Sequence, residues 1–186
     1  MNEHVCPVWI GYLLASPIRK LIQNPQTILG PLVRPGMTVL DVGCAMGFFS
    51  LPAAKMVGPS GRVVCVDCQP KMLEKLEKRA RSAGVAAQIE TRACTASALG
   101  LEALEGTVDI ALAVAMVHEA PDAERLLREI ARTLKPTGKL LIAEPTGHVS
   151  ETQIKETLHI TESLGLHVTE TPAVKRTAAF ILSPTA

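Results

Sequence analysis

The stretch Thr38–Ala54, TVLDVGCAMGFFSLPAA, joins an aliphatic run to a segment that is able to begin a helix. The run is continuously apolar around Asp41 rather than alternating, and this pattern predicts a strand buried on both faces of a sheet. A turn with Gly43 and Gly47 follows, and residues without Cβ let a ligand approach the main chain closely. The stretch therefore predicts a strand, a turn and a helix, in which the turn is either merely tight or the site of a ligand.

The same alternation of strands and helices continues along the chain. Six further strands are predicted at 62–67, 86–94, 108–117, 139–145, 166–171 and 178–182. Helices are predicted at 8–33 (in two pieces, the second capped by Asn24 before Pro25), 48–57, 70–82, 122–134 and 150–164. This spacing predicts an α/β fold with a doubly wound, mostly parallel seven-stranded sheet, an antiparallel last strand and helices on both faces.

Composition limits the class of protein and its partners. With 186 residues, of which 47% are hydrophobic and 20% charged, the chain is expected to form one globular domain with its own core. The net charge is +1 and no basic block occurs, which argues against nucleic acid or an anionic membrane as a partner. The N-terminal apolar run has no cationic leader and is broken by Pro7 and Pro17, so neither a signal peptide nor a membrane span is expected. Five cysteines, an odd number, favour free thiols and a cytoplasmic location.

The predicted sheet places two aspartates, Asp41 and Asp67, where a ligand is expected to bind. Ligands of such sheets bind beyond the carboxyl ends of the strands, where the strand order reverses. A carboxylate at Asp41 is able to receive an ammonium group, and Asp67, which closes the second strand, is able to accept both hydroxyls of a ribose. A ligand with an amino-acid head and a ribose but no phosphate is S-adenosylmethionine (SAM). The turn reads G-C-A-M-G instead of G-x-G-x-x-G, which disfavours a nicotinamide oxidoreductase.

Four segments between Met37 and Pro145 strengthen this interpretation by their order: VLDVGCAMG, VVCVD, VDIALAVAMVHEAPD and LLREIARTLKPTGKLLIAEP. Together they resemble the class I SAM-dependent methyltransferases, and most of all the small-molecule branch that includes the ubiquinone/menaquinone-biosynthesis and arsenite methyltransferases. The resemblance implies a Rossmann-like methyltransferase fold and direct displacement of a methyl group from SAM to a small-molecule acceptor. It also implies a single methyltransferase domain over 1–186, with an N-terminal helical lid at 1–35 and a Rossmann-like core at 36–186.

The resemblance further implies which residues hold the cofactor. The main chain of the turn would wrap the methionine part of SAM, and Asp67 would bind the ribose. Cys68 and Met116 would lie near the adenine or the sulfonium, and Cys94–Thr95 would border the adenine. The family usually has glycine where this chain has Ala45, and it often has an aspartate near Cys94. The predicted cofactor-binding residues are Asp41, Gly43, Cys44, Ala45, Gly47, Asp67, Cys68, Cys94, Thr95 and Met116.

Candidate catalytic residues follow the fourth strand. His118 is able to act as a general base near neutral pH, and the alternative is a loop histidine that orders the pocket wall. Glu144 and His148, after the fifth strand, are candidates to join it; as metal ligands these three lack regular spacing, and no metal is predicted. Tyr12, in the lid, would contact the sulfonium or the acceptor, or else be an ordinary packing aromatic. The predicted catalytic residues are His118, Glu119 and Tyr12.

Several alternatives stay open at this point. Cys65 and Cys68 form a C-x-x-C, but no second pair completes a zinc site, so structural thiols are predicted. A methyltransferase acting on protein or RNA would need a basic or extended groove, and a SAM-binding protein without catalysis would need only the cofactor site. The predicted partners are a small-molecule acceptor and, through the N-terminal helices, a second copy of the chain in a homodimer.

Overall fold

A computed structural model of the chain describes residues 23–95 and 97–185. Seven strands in these ranges form one sheet in the order β3-β2-β1-β4-β5-β7-β6. Strand β7 runs antiparallel to β5 and β6, and the other neighbouring pairs are parallel, as predicted. The strands are β1 (Thr38–Val42), β2 (Arg62–Asp67), β3 (Ile89–Ala93), β4 (Val108–Val114), β5 (Leu134–Pro145), β6 (Leu166–Glu170) and β7 (Thr177–Pro184).

Helices cover both faces of the sheet, which confirms the doubly wound arrangement. They are α1 (Pro25–Leu29), α2 (Ser50–Val57), α3 (Pro70–Ser82), α4 (Ala123–Thr133) and α5 (Glu151–Ser163). One buried cluster packs α1, α2 and α3 against the sheet through residues such as Leu29, Ala53 and Leu76. A second cluster packs α4 and α5 against the opposite face through Leu127 and Leu158. A core on each face explains why the central strands are continuously apolar.

The caps that the sequence predicts are present. Asn24 accepts a hydrogen bond from the Gln26 N–H and begins α1 ahead of Pro25. Ser150 and Gln153 form a reciprocal capping box at the start of α5. The sequence predicts these caps because all the partners lie within one helical turn.

Several boundaries differ from the prediction. The N-terminal helical region ends at Leu29, as α1, rather than at Val33. The second helix begins at Ser50 rather than at Phe48, because residues 44–49 complete the turn that follows β1. Strand β3 begins at Ile89, since 86–88 form a short 3-10 turn. Strand β4 ends at Val114, because Ala115 adopts a left-handed backbone with φ of 54° and turns the chain away from the sheet.

The turn expected at 135–138 is a bulge inside β5. Val108 pairs with Leu134 and Ile110 pairs with Lys139, so four residues of β5 lie opposite one residue of β4. Strand β5 therefore starts at Leu134, directly after α4, and not at Lys139. Irregular pairing of this kind is not visible in the sequence, where Pro136 and Gly138 indicate only a chain reversal.

The strand order reverses at β1, whose neighbours are β2 on one side and β4 on the other. The crevice at this position opens at the carboxyl ends of the strands, where the predicted site residues lie. Tyr12 and most of the proposed lid lie outside the described residues, and the division into a lid and a core stays a prediction. Among residues 23–95 and 97–185, no helix has the length and apolar character needed to cross a membrane.

Candidate functional site

The turn after β1 is shaped by its own side chains as well as by its glycines. Gly43 and Gly47 have φ of +70° and +80°, a region that L side chains rarely adopt. A Cβ on Gly43 would lie 3.0 Å from Met116 Cβ, and one on Gly47 would lie 3.0 Å from Leu76 Cγ. Glycine is therefore needed for backbone angle and packing, and the space beside each Cα is filled by the protein itself. Binding of the methionine part of SAM by this main chain stays a prediction.

Replacing Gly43 with alanine should destabilise the protein more than the same change at Gly84. Both residues have φ of +70°, but nothing lies within 4 Å of a Cβ built on Gly84. The left-handed backbone costs alanine about 1 to 2 kcal/mol at either position, and only Gly43→Ala adds the clash with Met116. Urea unfolding of the two variants isolates this second cost. Equal losses of unfolding free energy would show that the contact with Met116 does not constrain the turn.

The turn is tied to the end of β2 by backbone hydrogen bonds. The N–H groups of Gly43 and Cys44 both donate to the Val66 carbonyl, at 2.9 Å and 3.1 Å. Ala45, with φ of 46°, adopts a left-handed backbone at the position where the family usually has glycine. Its N–H points to Asp67 and donates to Oδ2 at 2.9 Å. The strained residue thus joins the turn to the second aspartate of the site.

Asp67 is held in place by the main chain on both of its oxygens. Besides the bond from Ala45, the Gln69 N–H donates to Oδ1 at 2.8 Å. Each carboxylate oxygen accepts more than one hydrogen bond, so both oxygens are still able to accept a hydroxyl. The side chain is buried, with 8% of the residue exposed, and its conformation is fixed before any ligand arrives. A rigid, bidentate acceptor of this kind suits the two neighbouring hydroxyls of a ribose.

Burial gives Asp67 an unusual protonation behaviour. Loss of solvent raises the pKa of this carboxyl, and the hydrogen bonds from Gln69 and Ala45 offset only part of the rise. A raised pKa means that the folded state binds the proton more tightly than the unfolded state. The stability that Asp67 contributes is therefore present below its ordinary pKa of 3.8 and is lost as the pH rises through the raised value.

This linkage predicts a pH-dependent difference between the natural protein and Asp67→Asn, whose side chain does not titrate. The unfolding free energy of the natural protein relative to the variant should fall as the pH rises from 3.8 through the raised pKa of Asp67. Urea titrations of both proteins across this range measure the difference directly. A difference that is constant, or that grows with pH, would contradict the raised pKa.

Asp41 lies within the core and not at the surface of the crevice. Only 3% of this residue is exposed, and Ser50 Oγ donates to its Oδ2 at 2.5 Å. The contact joins the end of β1 to the first turn of α2 and so fixes the turn between them. Receipt of an ammonium group by Asp41 stays a prediction.

The structure adds two residues that sequence reasoning missed. One is Ser50, the partner of Asp41. The other is Arg79, whose guanidinium reaches from α3 to donate to the Met46 carbonyl within the turn. Burial lowers the pKa of Arg79. Both contacts join parts of the chain that only the fold brings together, and no local pattern in the sequence signals them.

His118 forms a close pair with Glu144. Its Nδ1 lies 2.6 Å from Glu144 Oε2, while Glu144 Oε1 accepts the Val117 N–H at 2.9 Å. The glutamate is buried, with 3% exposed, and both of its oxygens are used to orient this loop. Glu119, predicted in the catalytic set, is exposed and lies farther away, with its Oε1 at 3.9 Å from His118 Nε2. The partner of His118 within the fold is therefore Glu144, and a catalytic role for Glu119 stays a prediction.

His148 completes this side of the crevice. Its ring lies edge-on to that of His118, with the ring centroids 5.1 Å apart. The candidates that sequence reasoning placed after β4 and β5 are thus brought together. Within the described ranges, no group of three or more His, Cys, Asp or Glu side chains has an arrangement that suits a metal ion.

The four cysteines within the described ranges occupy two separate environments. Cys44 and Cys65 are buried close together, and burial, with a further contribution from Cys65, raises the pKa of Cys44 well above its ordinary value. Cys68 is exposed, so the C-x-x-C of the sequence is not a paired motif in the fold. Burial, followed by the proximity of Cys68 and Asp67, raises the pKa of Cys94 to about 11.

Contacts connect the predicted site residues along one edge of the sheet. The Cys94 N–H donates to the Asp67 carbonyl at 3.1 Å, Asp67 accepts from Ala45, and Gly43 packs on Met116, which precedes the His118 loop. The Thr95 hydroxyl takes part in a local turn and lies 3.0 Å from Ser97 Oγ. Contact of these residues with a cofactor stays a prediction, but the fold places them on a single surface.

Comparison with known proteins bears on this surface. Residues 34–176 match the family described as "Methyltransferase domain". The chain is 31% identical to the demethylmenaquinone methyltransferase of Lactobacillus johnsonii, over 82% of this chain and 65% of that protein. It is 35% identical to a ubiquinone/menaquinone biosynthesis C-methyltransferase of Enterobacter sp., over 60% of this chain and 44% of the relative. The chain thus spans less than two thirds of the length of either relative.

A solved structure supports the fold. The crystal structure of a SAM-dependent methyltransferase from Aquifex aeolicus aligns with a TM-score of 0.85 and 24% identity, over 98% of this chain and 100% of that one. At this identity the likeness concerns the fold alone. The strand order and the antiparallel β7 are therefore those of a known Rossmann-like methyltransferase architecture.

Proposed function

The chain belongs to the methyltransferase domain family, and from this premise we propose that it transfers a methyl group from SAM to a small-molecule acceptor. The resemblance to SAM-dependent methyltransferases that the sequence motifs indicate is thereby confirmed. One observation carries the proposal for this chain: the left-handed Ala45 N–H bonds to Asp67, at 2.9 Å. That contact joins the two cofactor motifs into one surface.

SAM is proposed to lie across the carboxyl ends of β1 and β2. Asp67 would accept the two ribose hydroxyls, while the main chain of 43–47 would contact the methionine part. Met116, half-buried between the turn and the His118 loop, would face the sulfonium. The charged sulfur makes the methyl group electrophilic, so the protein's task is to align the donor, methyl group and acceptor and to exclude water.

His118 is proposed as the base that takes a proton from the acceptor. With its proton on Nδ1, His118 would donate to Glu144, and the lone pair of Nε2 would be free to take up a proton. Bound SAM would supply the methyl group and keep the electron pair of its carbon–sulfur bond. The proton released by the acceptor would pass to Nε2, and Glu144 would stabilise the imidazolium that forms. A carboxylate that orients a histidine in this way recurs in unrelated enzymes.

A small-molecule acceptor agrees with the net charge of the chain and with the names of its relatives. The chain has a net charge of +1 and no basic block that would attract RNA or DNA. The relatives named above are methyltransferases of quinone biosynthesis, which act on small organic molecules. These features favour a small acceptor.

Incubation with methyl-labelled SAM and cell extract tests the proposal. We expect the label in the small-molecule fraction, and we expect Asp67→Ala to abolish most of it at a SAM concentration near the natural Kd. Label in protein or RNA would overturn the small acceptor. Tight binding of SAM with no transfer to any fraction would indicate a SAM-binding protein without catalysis.

The remaining predictions concern the rest of the chain. We infer that the part of the lid that precedes α1 folds over the cofactor, with Tyr12 near the sulfonium, and that the protein acts in the cytoplasm, where free thiols persist. The described end of the predicted lid instead belongs to the core, through Leu29, Leu32 and Val33. We also propose a homodimer that forms through the N-terminal region, as the sequence predicts. Sedimentation of the full chain, with and without SAM, tests both the oligomeric state and any compaction by the lid.

A further inference from the structure

Cys68 and Cys94 directly follow the adjacent strands β2 and β3, although 26 positions separate them in the sequence. These strands are parallel and end with Asp67 opposite Ala93, so each cysteine is the first residue beyond the last pair. The Cys94 N–H donates to the Asp67 carbonyl at 3.1 Å, which extends the ladder one step beyond the last paired residues. The fold therefore makes Cys68 and Cys94 neighbours at the carboxyl edge of the sheet.

The two thiols are also close enough to interact. Cys94 packs against the core beneath α4 and α5. The proximity of Cys68 is one of the causes, after burial, that raise the pKa of Cys94.

The spacing between β2 and β3 suits a disulfide between the cysteines that follow these strands. Neighbouring strands lie about 4.8 Å apart, and disulfides join Cα atoms that are about 4.4 to 6.8 Å apart. Their exposure also differs in a useful way, because Cys68 is exposed and Cys94 is half-buried. An accessible thiol that reacts first and a shielded thiol that resolves the product form the usual arrangement of a redox-sensitive pair.

We propose that Cys68 and Cys94 form a reversible disulfide by exchange with a low-molecular-weight disulfide, and that this bond weakens SAM binding. The Cys68 thiolate attacks one sulfur of the small disulfide and releases one small thiolate. Cys94 then loses its proton and displaces the second small thiolate from Cys68. The two protein thiols are oxidised to one disulfide, and the small disulfide is reduced to two thiols.

The effect on the cofactor site follows from the position of Asp67, and this step rests on the proposed function. Asp67 precedes Cys68, and its carboxylate is held by the N–H of Gln69, which follows Cys68. A disulfide has specific dihedral angles, so closing the bond changes the backbone at Cys68 and reorients the Asp67 carboxylate between the N–H groups of Ala45 and Gln69. If one proposed contact to a ribose hydroxyl is lost in this way, SAM binding weakens about tenfold.

Peptide mapping of the full chain after exposure to oxidised glutathione tests the thiol pair. We expect a linked peptide that contains Cys68 and Cys94, and faster ring closure at alkaline pH, because Cys94 must lose a proton with a pKa of about 11. Glutathione that stays on Cys68, a link between other cysteines, or unreacted thiols would each overturn the pair. This readout does not depend on SAM, so it stands or falls separately from the proposed function.

Calorimetric titration with SAM tests the consequence. Oxidation should weaken binding by the natural protein about tenfold, and dithiothreitol should restore it. Cys68→Ser and Cys94→Ser, each compared with itself before and after oxidation, should lose this response. An affinity that oxidation leaves unchanged despite a mapped disulfide would overturn the switch. Reduced protein that does not bind SAM at all would instead contradict the proposed function.

Discussion

Asp67→Ala should lower the affinity for SAM by about tenfold or more, because each hydrogen bond to a charged group contributes about 1.5 to 3 kcal/mol. Backbone N–H groups hold both oxygens of the carboxylate, so little free energy is spent on ordering this side chain when SAM binds. Removing the side chain would take away both proposed contacts to the ribose hydroxyls at once. Isothermal titration with SAM and with its demethylated product measures the loss.

Glu74→Ala is the matched control for this experiment. It removes one negative charge from the exposed face of α3, which begins three residues after Asp67, and leaves the crevice intact. The affinity of this variant should equal that of the natural protein. An Asp67→Ala protein that is folded and binds SAM as well as the Glu74→Ala protein would remove Asp67 from the cofactor site.

His118→Ala should lower kcat by about 100-fold or more, which is the usual contribution of a general base. The KM for SAM should stay unchanged, since the proposed cofactor contacts lie on the other side of Met116. Glu144→Gln should also lower kcat, because the neutral amide no longer stabilises the imidazolium. The acceptor isolated from the labelled extract serves as the substrate for these measurements.

His159→Ala provides the comparison for His118→Ala. His159 is an exposed residue of α5 and lies away from the crevice. The kcat should fall in His118→Ala and stay at the natural value in His159→Ala. An unchanged kcat in His118→Ala would assign the residue to the pocket wall, which is the alternative that the sequence leaves open.

Local signals account for much of what could be predicted. Helix α3 runs over the predicted residues 70–82, because Pro70 suits the first position of a helix and a charged outer face follows. Continuous apolar runs predict strands β1 and β2, and Asp67 lies at the end of β2. Each of these features depends on residues within a single element and its immediate neighbours.

The partners of the site residues depend on pairing between distant strands. Glu144 meets His118 because Val114 pairs with Ala143, so the residues that follow β4 and those at the end of β5 converge. The sequence named Glu144 as a candidate to join His118 but placed Glu119, which is exposed, in the catalytic set. Ser50 and Arg79 were missed because their contacts run from α2 to β1 and from α3 to the turn. The register needed to see such contacts is set by the whole sheet.

A crystal structure of the full chain with the demethylated cofactor bound tests the central claim most directly. We expect both ribose hydroxyls within hydrogen-bond distance of the Asp67 carboxylate, the amino-acid part along 43–47, and the sulfur on the side of the crevice that His118 borders. A cofactor whose ribose contacts other residues, or whose sulfur faces away from His118, would contradict the account.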